Sequence, residues 1–117
     1  MYDFRRSNRY DTRYKYFAKR HPDELQAVIN NLDKLKAILN SGERLNPPPY
    51  GFLKSEGGGV YRISESGGGG SLMATRLYIY VDQGSEMIYL LTLGDKNTQQ
   101  DDIQDSKTIV RGLRSGP

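Results

Sequence analysis

The chain has 117 residues, of which 36% are hydrophobic and 26% charged; this suits one globular domain, residues 1–117, around one core. No apolar run approaches the roughly 18 residues of a membrane span, the opening MYDFRRSNRY lacks the apolar stretch of a secretory signal, and the absence of cysteine excludes disulfides and thiolate metal sites and fits the cytoplasm. The net charge of +3 is mild but uneven: Arg5, Arg6, Arg9, Arg13, Lys15, Lys19 and Arg20 face only Asp3 and Asp11 in the first stretch of chain, a basic patch of the kind that attracts polyanions, nucleic acid above all.

In chain order, residues 2–6 carry a faint edge-strand signal. Tyr10, Tyr14, Phe17 and His21 then recur at helical spacing. His21-Pro22 breaks that helix, because the residue before proline is pushed out of the α region. Pro22 suits the first turn of a second helix, with Asp23 and Glu24 at its positive end. Leu25, Val28, Ile29, Leu32, Leu35, Ile38 and Leu39 form a long apolar stripe that Gly42 ends. The two helices read as a helical hairpin. Asn46-Pro47-Pro48-Pro49-Tyr50-Gly51 reads as a stiff connector with polyproline character.

Val60 to Glu65 reads as a strand after Gly57-Gly58-Gly59, and Ser66 to Ser71, SGGGGS, as a flexible loop. The stretch TRLYIYVDQGSEMIYLLTLGDKN, Thr75 to Asn97, organises the rest. Leu77, Ile79 and Val81 alternate with Arg76, Tyr78 and Tyr80, the pattern of a half-buried strand. A turn follows over Val81 to Glu86, with Gly84 free to take a positive φ. Met87 to Leu93 is nearly continuously apolar, as in a central strand covered on both faces. Ile103, Ile109, Val110 and Leu113 predict a final helix from Gln99 or Asp101 to Leu113, with Asp101 and Asp102 at its N-terminus. The expected architecture is α+β. An N-terminal helical hairpin packs on a small, mainly antiparallel three- to four-stranded sheet, with the helices gathered on one face.

The glycine runs lack the lysine and helix start of a phosphate-binding loop. With one histidine, His21, no catalytic triad and no multi-histidine zinc site can be built. What remains is basic and aromatic. Arg62 lies mid-strand, Arg76, Tyr78 and Tyr80 share a face of the next strand, and Asp95, Lys96 and Asn97 follow the third. If the strands are neighbours these groups converge on one open face. Arginine and lysine there bind phosphate and stabilise a phosphorane, and tyrosines stack on splayed bases. Equally, Tyr78 and Tyr80 read as ordinary sheet residues beneath another element.

The helical pair, the glycine-rich stretch and then Arg76-Leu77-Tyr78-Ile79-Tyr80 with Ile88-Tyr89-Leu90-Leu91-Thr92-Leu93-Gly94-Asp95-Lys96-Asn97 resemble the RelE/ParE superfamily of bacterial type II toxins, HigB-type members above all. The resemblance covers about residues 10–113. It implies a compact α+β fold and ribosome-dependent cleavage of mRNA, in which a 2′-hydroxyl attacks the adjacent phosphate to leave a 2′,3′-cyclic phosphate. No metal or cofactor is implied. The implied partners are the ribosome with its mRNA and a small helix-turn-helix antitoxin, through which alone operator DNA is met. Under the resemblance Arg76 is the main phosphate contact, aided by Arg62 and Lys96. Tyr78, Tyr80, Arg13, Lys15, Lys19 and Arg20 are the RNA-binding set. The acid/base role stays open among Tyr78, Tyr80, Asp95 and a ribosomal group. The same superfamily includes ParE-like inhibitors of DNA gyrase, and a non-catalytic binding module of this fold stays open as well.

Overall fold

The computed structural model describes residues 1–45, 50–65 and 75–116. The proline run Pro47 to Pro49 and the loop read at Ser66 to Ser71 lie outside the described residues. Among them the elements run β1 (Asp3–Arg6), α1 (Asn8–Arg20), α2 (Pro22–Asn40), β2 (Leu53–Gly57), β3 (Val60–Ile63), β4 (Arg76–Asp82), β5 (Met87–Gly94), a single 3₁₀ turn (Lys96–Thr98) and α3 (Gln99–Ser115). The class is α+β, and no helix among the described residues is long and apolar enough to cross a membrane.

Local chemistry sets the helix ends. The Ser7 hydroxyl caps α1 by accepting from the Tyr10 amide and also donates to the Leu91 carbonyl at 2.6 Å, so the helix start is tied to β5. His21 adopts an extended φ of −138° before Pro22, and one residue therefore separates α1 from α2. The α2 stripe of Leu25, Val28, Leu32, Leu35 and Leu39 is buried. Asn31, buried on the same helix, donates to the carbonyls of Ser64 and Glu65 and pins α2 to the end of β3.

The sheet order is β1-β5-β4-β3-β2, with β1 parallel to β5 and the other pairs antiparallel. It therefore has five strands among the described residues and is mixed, not the three or four expected. β2, which no alternation announces, pairs with β3 through a tight turn in which Gly58 and Gly59 both have positive φ, as a two-residue hairpin of type I′ requires.

The helices do not gather on one face. Phe17 of α1 and the α2 leucines pack on Leu77, Ile79, Ile88, Leu90 and Leu93. On the other face Val110, Ile103 and Ile109 of α3 cover Val60, Tyr78 and Leu91. A bulge in β5 accommodates both layers: Tyr78 pairs with Thr92 but Ile79 with Leu90, which leaves Leu91 as the extra residue. This is why Met87 to Leu93 reads as a nearly unbroken apolar run.

The turn between β4 and β5 corrects another expectation. Asp82 organises it by accepting from the amides of Gly84 at 3.1 Å and Ser85 at 3.4 Å, and the positive φ, 53°, falls on Glu86 instead of Gly84. A side chain in this left-handed region costs about 1–2 kcal/mol. Glu86→Gly should therefore raise stability by about 1 kcal/mol, read as a higher urea midpoint at unchanged slope.

Candidate functional site

Antiparallel pairing brings the end of β3, the start of β4 and the end of β5 to one end of the sheet. Arg62 pairs across to Tyr78, and Arg76 pairs across to Gly94, just before the 3₁₀ turn that carries Lys96. Arg62, Arg76 and Tyr78 share the face that α3 covers. Arg76 donates from Nη1 to the Gln99 side chain at the first residue of α3. Lys96 is exposed on the adjoining 3₁₀ turn, in a shallow depression with Asn97, Gln99, Gln100 and Asp101. The three sequence-predicted cations thus lie at one end of the sheet.

Their electrostatic states differ. The β2 bulge between Ser55 and Gly57 turns Glu56 toward Arg62, with Oε2 3.8 Å from Nη1. The Glu56 side chain is only 8% exposed, and Arg62 Nε is buried with no partner. Arg62 is therefore already compensated. Arg76 meets a neutral amide and makes no ion pair among the described residues. Arg76 and Lys96 are the cations left to meet an incoming anion.

Of the two readings of the tyrosines, the open face is absent and the covered one holds for Tyr78. Tyr78 is fully buried under α3 and cannot stack on a base. Burial pushes its phenol up to about 12, with the Asp102 carboxylate adding to the rise and Arg76 and Arg62 opposing it. Its hydroxyl is buried without a partner, so it is neutral at physiological pH. Tyr80 is half-buried near the far end of β4, stacked on Tyr89 and covered by Arg114. Neither tyrosine offers a free ring at the Arg76 end. Asp95 is also engaged, since its carboxylate accepts from the amides of Asn97 and Thr98 and caps the 3₁₀ turn.

The basic helix divides in the same way. Arg13 reaches the buried Asp102 at 3.8 Å, and Arg9 meets Asp102 at 3.3 Å and Asp105 at 3.0 Å. Lys15, Lys19 and Arg20 are exposed, with Arg20 over the Tyr16 ring at 5.3 Å. Of the α1 cations only this second group makes no ion pair among the described residues. His21 packs beside Phe17 and Tyr16 and has no catalytic partner set. Among the described residues no group of three histidine, aspartate or glutamate side chains can hold a metal ion.

Residues not singled out from sequence complete the site. Asp102, fully buried, accepts from the Thr98 hydroxyl at 2.6 Å and from Arg9. Burial raises its pKa despite the Thr98 bond and the two arginines, which lower it. It lies so close to Gly94 that a Cβ there would come within 1.8 Å of its Oδ2. The sequence signal was the acidic pair at the start of α3, which reads as a solvated helix N-terminus. Glu56 was hidden among turn-forming residues.

Compared with known protein families and with curated proteins, the chain matches none.

Arg9→Ala leaves the buried carboxylate with only the more distant Arg13 as counter-ion. It should destabilise the fold by about 3 kcal/mol, and Gly94→Ala should do so by about 1–3 kcal/mol through overpacking. Chemical denaturation of each variant measures both.

Proposed function

We propose that this chain is a cytoplasmic RelE/HigB-like toxin that cleaves mRNA on the ribosome and so stops translation. The observation that carries the reading is the uncompensated Arg76 at the open end of an otherwise roofed sheet, with Lys96 exposed on the adjoining 3₁₀ turn. In the reaction a 2′-hydroxyl attacks the adjacent phosphorus, the bond to the 5′-oxygen breaks, and a 2′,3′-cyclic phosphate remains. The Arg76 guanidinium matches the two non-bridging oxygens and stabilises the charge that builds on them. Lys96 adds a mobile point charge from the 3₁₀ turn.

Glu56 is nearly buried against Arg62 and lies beside the β2–β3 turn, toward the Tyr80 end of the sheet, so it does not serve as the base at Arg76; the proton of the 2′-hydroxyl passes to solvent or a ribosomal group in this reading. Arg62, engaged by Glu56 at 3.8 Å, contributes less to the phosphate than Arg76. Tyr78 is too deeply covered to reach the leaving oxygen, whose proton then comes from solvent or a ribosomal group. Lys15, Lys19 and Arg20 supply phosphate contacts on the outer surface of α1, and a small helix-turn-helix antitoxin is the regulatory partner in this reading.

Expression from a tight promoter, with primer extension on a reporter mRNA, tests it. The expected result is growth arrest with cleavage at codon-linked positions. Arg76→Ala should lower cleavage by about 10²–10³, or 2.7–4 kcal/mol, with the fold intact. Lys96→Ala and Arg62→Ala should weaken it less. Arrest with intact mRNA and damaged DNA would replace the reading with a ParE-like gyrase inhibitor. No growth effect would leave a binding module, and full toxicity in a soluble Arg76→Ala protein would remove Arg76 from the site.

A further inference from the structure

Tyr80 stands about 13 Å along β4 from Arg76 by the ordinary rise of a strand, and positive charge gathers there that the reading above does not use. Arg114, in the last turn of α3, lies over the Tyr80 ring with its guanidinium carbon 5.4 Å from the centroid. Tyr80 in turn stacks on Tyr89 across the strand pair at 5.8 Å. Arg114 also lies against the β2–β3 turn, where a Cβ on Gly59 would come within 2.6 Å of its Nη2. The positive φ of Gly59, +86°, serves the turn, and its missing side chain admits the guanidinium. A tyrosine ring and a stretch of bare backbone thus hold Arg114 in place.

Arg114 and Arg44, with Gly59, Tyr61, Tyr80 and Gln83, line a solvent-open pocket of about 370 Å³, within the size range of small-ligand sites. No acidic side chain lines it among the described residues. The acids next to it in sequence are engaged elsewhere: Glu43 accepts the Tyr50 hydroxyl at 2.6 Å, and Asp82 caps its own turn. Neither arginine makes an ion pair among the described residues.

We propose that this pocket is a second anion site and that it takes a phosphoryl group. Two guanidiniums without a carboxylate call for a multiply charged, multidentate anion, and the arginine fork matches phosphate oxygens two at a time. A simple carboxylate would compensate only one of the two charges. The Gln83 amide and the tyrosine edges give the rest of a phosphate ester polar and flat surfaces to meet. The phosphoryl group belongs either to a free nucleotide or to the backbone of an RNA strand, and the site stands whether or not the chain cleaves RNA.

Amide and arginine side-chain resonances of the full chain, titrated with inorganic phosphate, adenosine monophosphate, a short single-stranded oligoribonucleotide and acetate, test the proposal. Saturable shifts centred on Gly59, Tyr80 and Arg114 are expected with the three phosphate probes, with acetate at least ten-fold weaker. Arg114→Ala and Arg44→Ala should each weaken phosphate binding at least ten-fold with the circular-dichroism spectrum unchanged, and Arg114→Lys should restore part of it. Tightest binding by the mononucleotide assigns a free nucleotide. Tightest binding by the oligonucleotide, with a steeper salt dependence, assigns an RNA backbone. Absence of saturable shifts with phosphate, equal binding of acetate, or unchanged binding in both alanine variants would overturn the site.

Discussion

The buried carboxylate of Asp102 is the interaction on which the rest of the arrangement depends. An ionised group fully removed from water is tolerated only with close partners. Here they come from three places: the Thr98 hydroxyl on the 3₁₀ turn, Arg9 near the start of α1 and Arg13 one turn further on. Gly94 at the end of β5 makes room for it, since any side chain there would occupy the carboxylate's own position. One group therefore ties α1, β5 and the start of α3 together. Burial raises its pKa, while the Thr98 hydroxyl and the two arginines lower it.

What it positions is the roof. With the start of α3 fixed, Val110 and its neighbours seal the middle of the sheet over Tyr78, and Gln99 is left beside Arg76 at the rim. Internal carboxylates, Asp102 on α3 and Glu56 on β2, sort the cations. Arg9, Arg13 and Arg62 are consumed by internal carboxylates, whereas Arg76, Lys96 and the outer residues of α1 keep their charge for solvent. A mildly basic chain thus presents its free positive charge in a few places instead of as a diffuse field, and the proposed cleavage chemistry rests on one of them.

Much of this was legible in the sequence because it is local. Period-two alternation marks β4, the helical stripe marks α2, and Pro22 and Gly42 punctuate the helices as their backbone restrictions require. The gathering of Arg62, Arg76 and Lys96 at one end followed from strands joined in succession. What was not legible is non-local. The parallel pairing of β1 with β5 and the presence of β2 depend on partners distant in sequence or on bulged, glycine-rich segments without alternation. That Tyr78 lies beneath another element was one of two readings the sequence left open, and α3 was not identified as the cover because the face it buries includes Asp102 and Ser106 as well as Val110. Such a face does not register as an apolar stripe. The positive φ at Glu86 went unseen for a similar reason: Asp82 organises that turn through side-chain hydrogen bonds, and glycine content alone does not locate the strained residue.

The most direct measurement of the central claim is the chemistry of the new RNA ends. Purified chain is added to ribosomes programmed with a defined mRNA, and the fragments are analysed at the cut. The expected products are an upstream fragment ending in a 2′,3′-cyclic phosphate and a downstream fragment with a free 5′-hydroxyl, both lost with Arg76→Ala. An uncut message with well-folded protein, or ends bearing a 5′-phosphate, would contradict it.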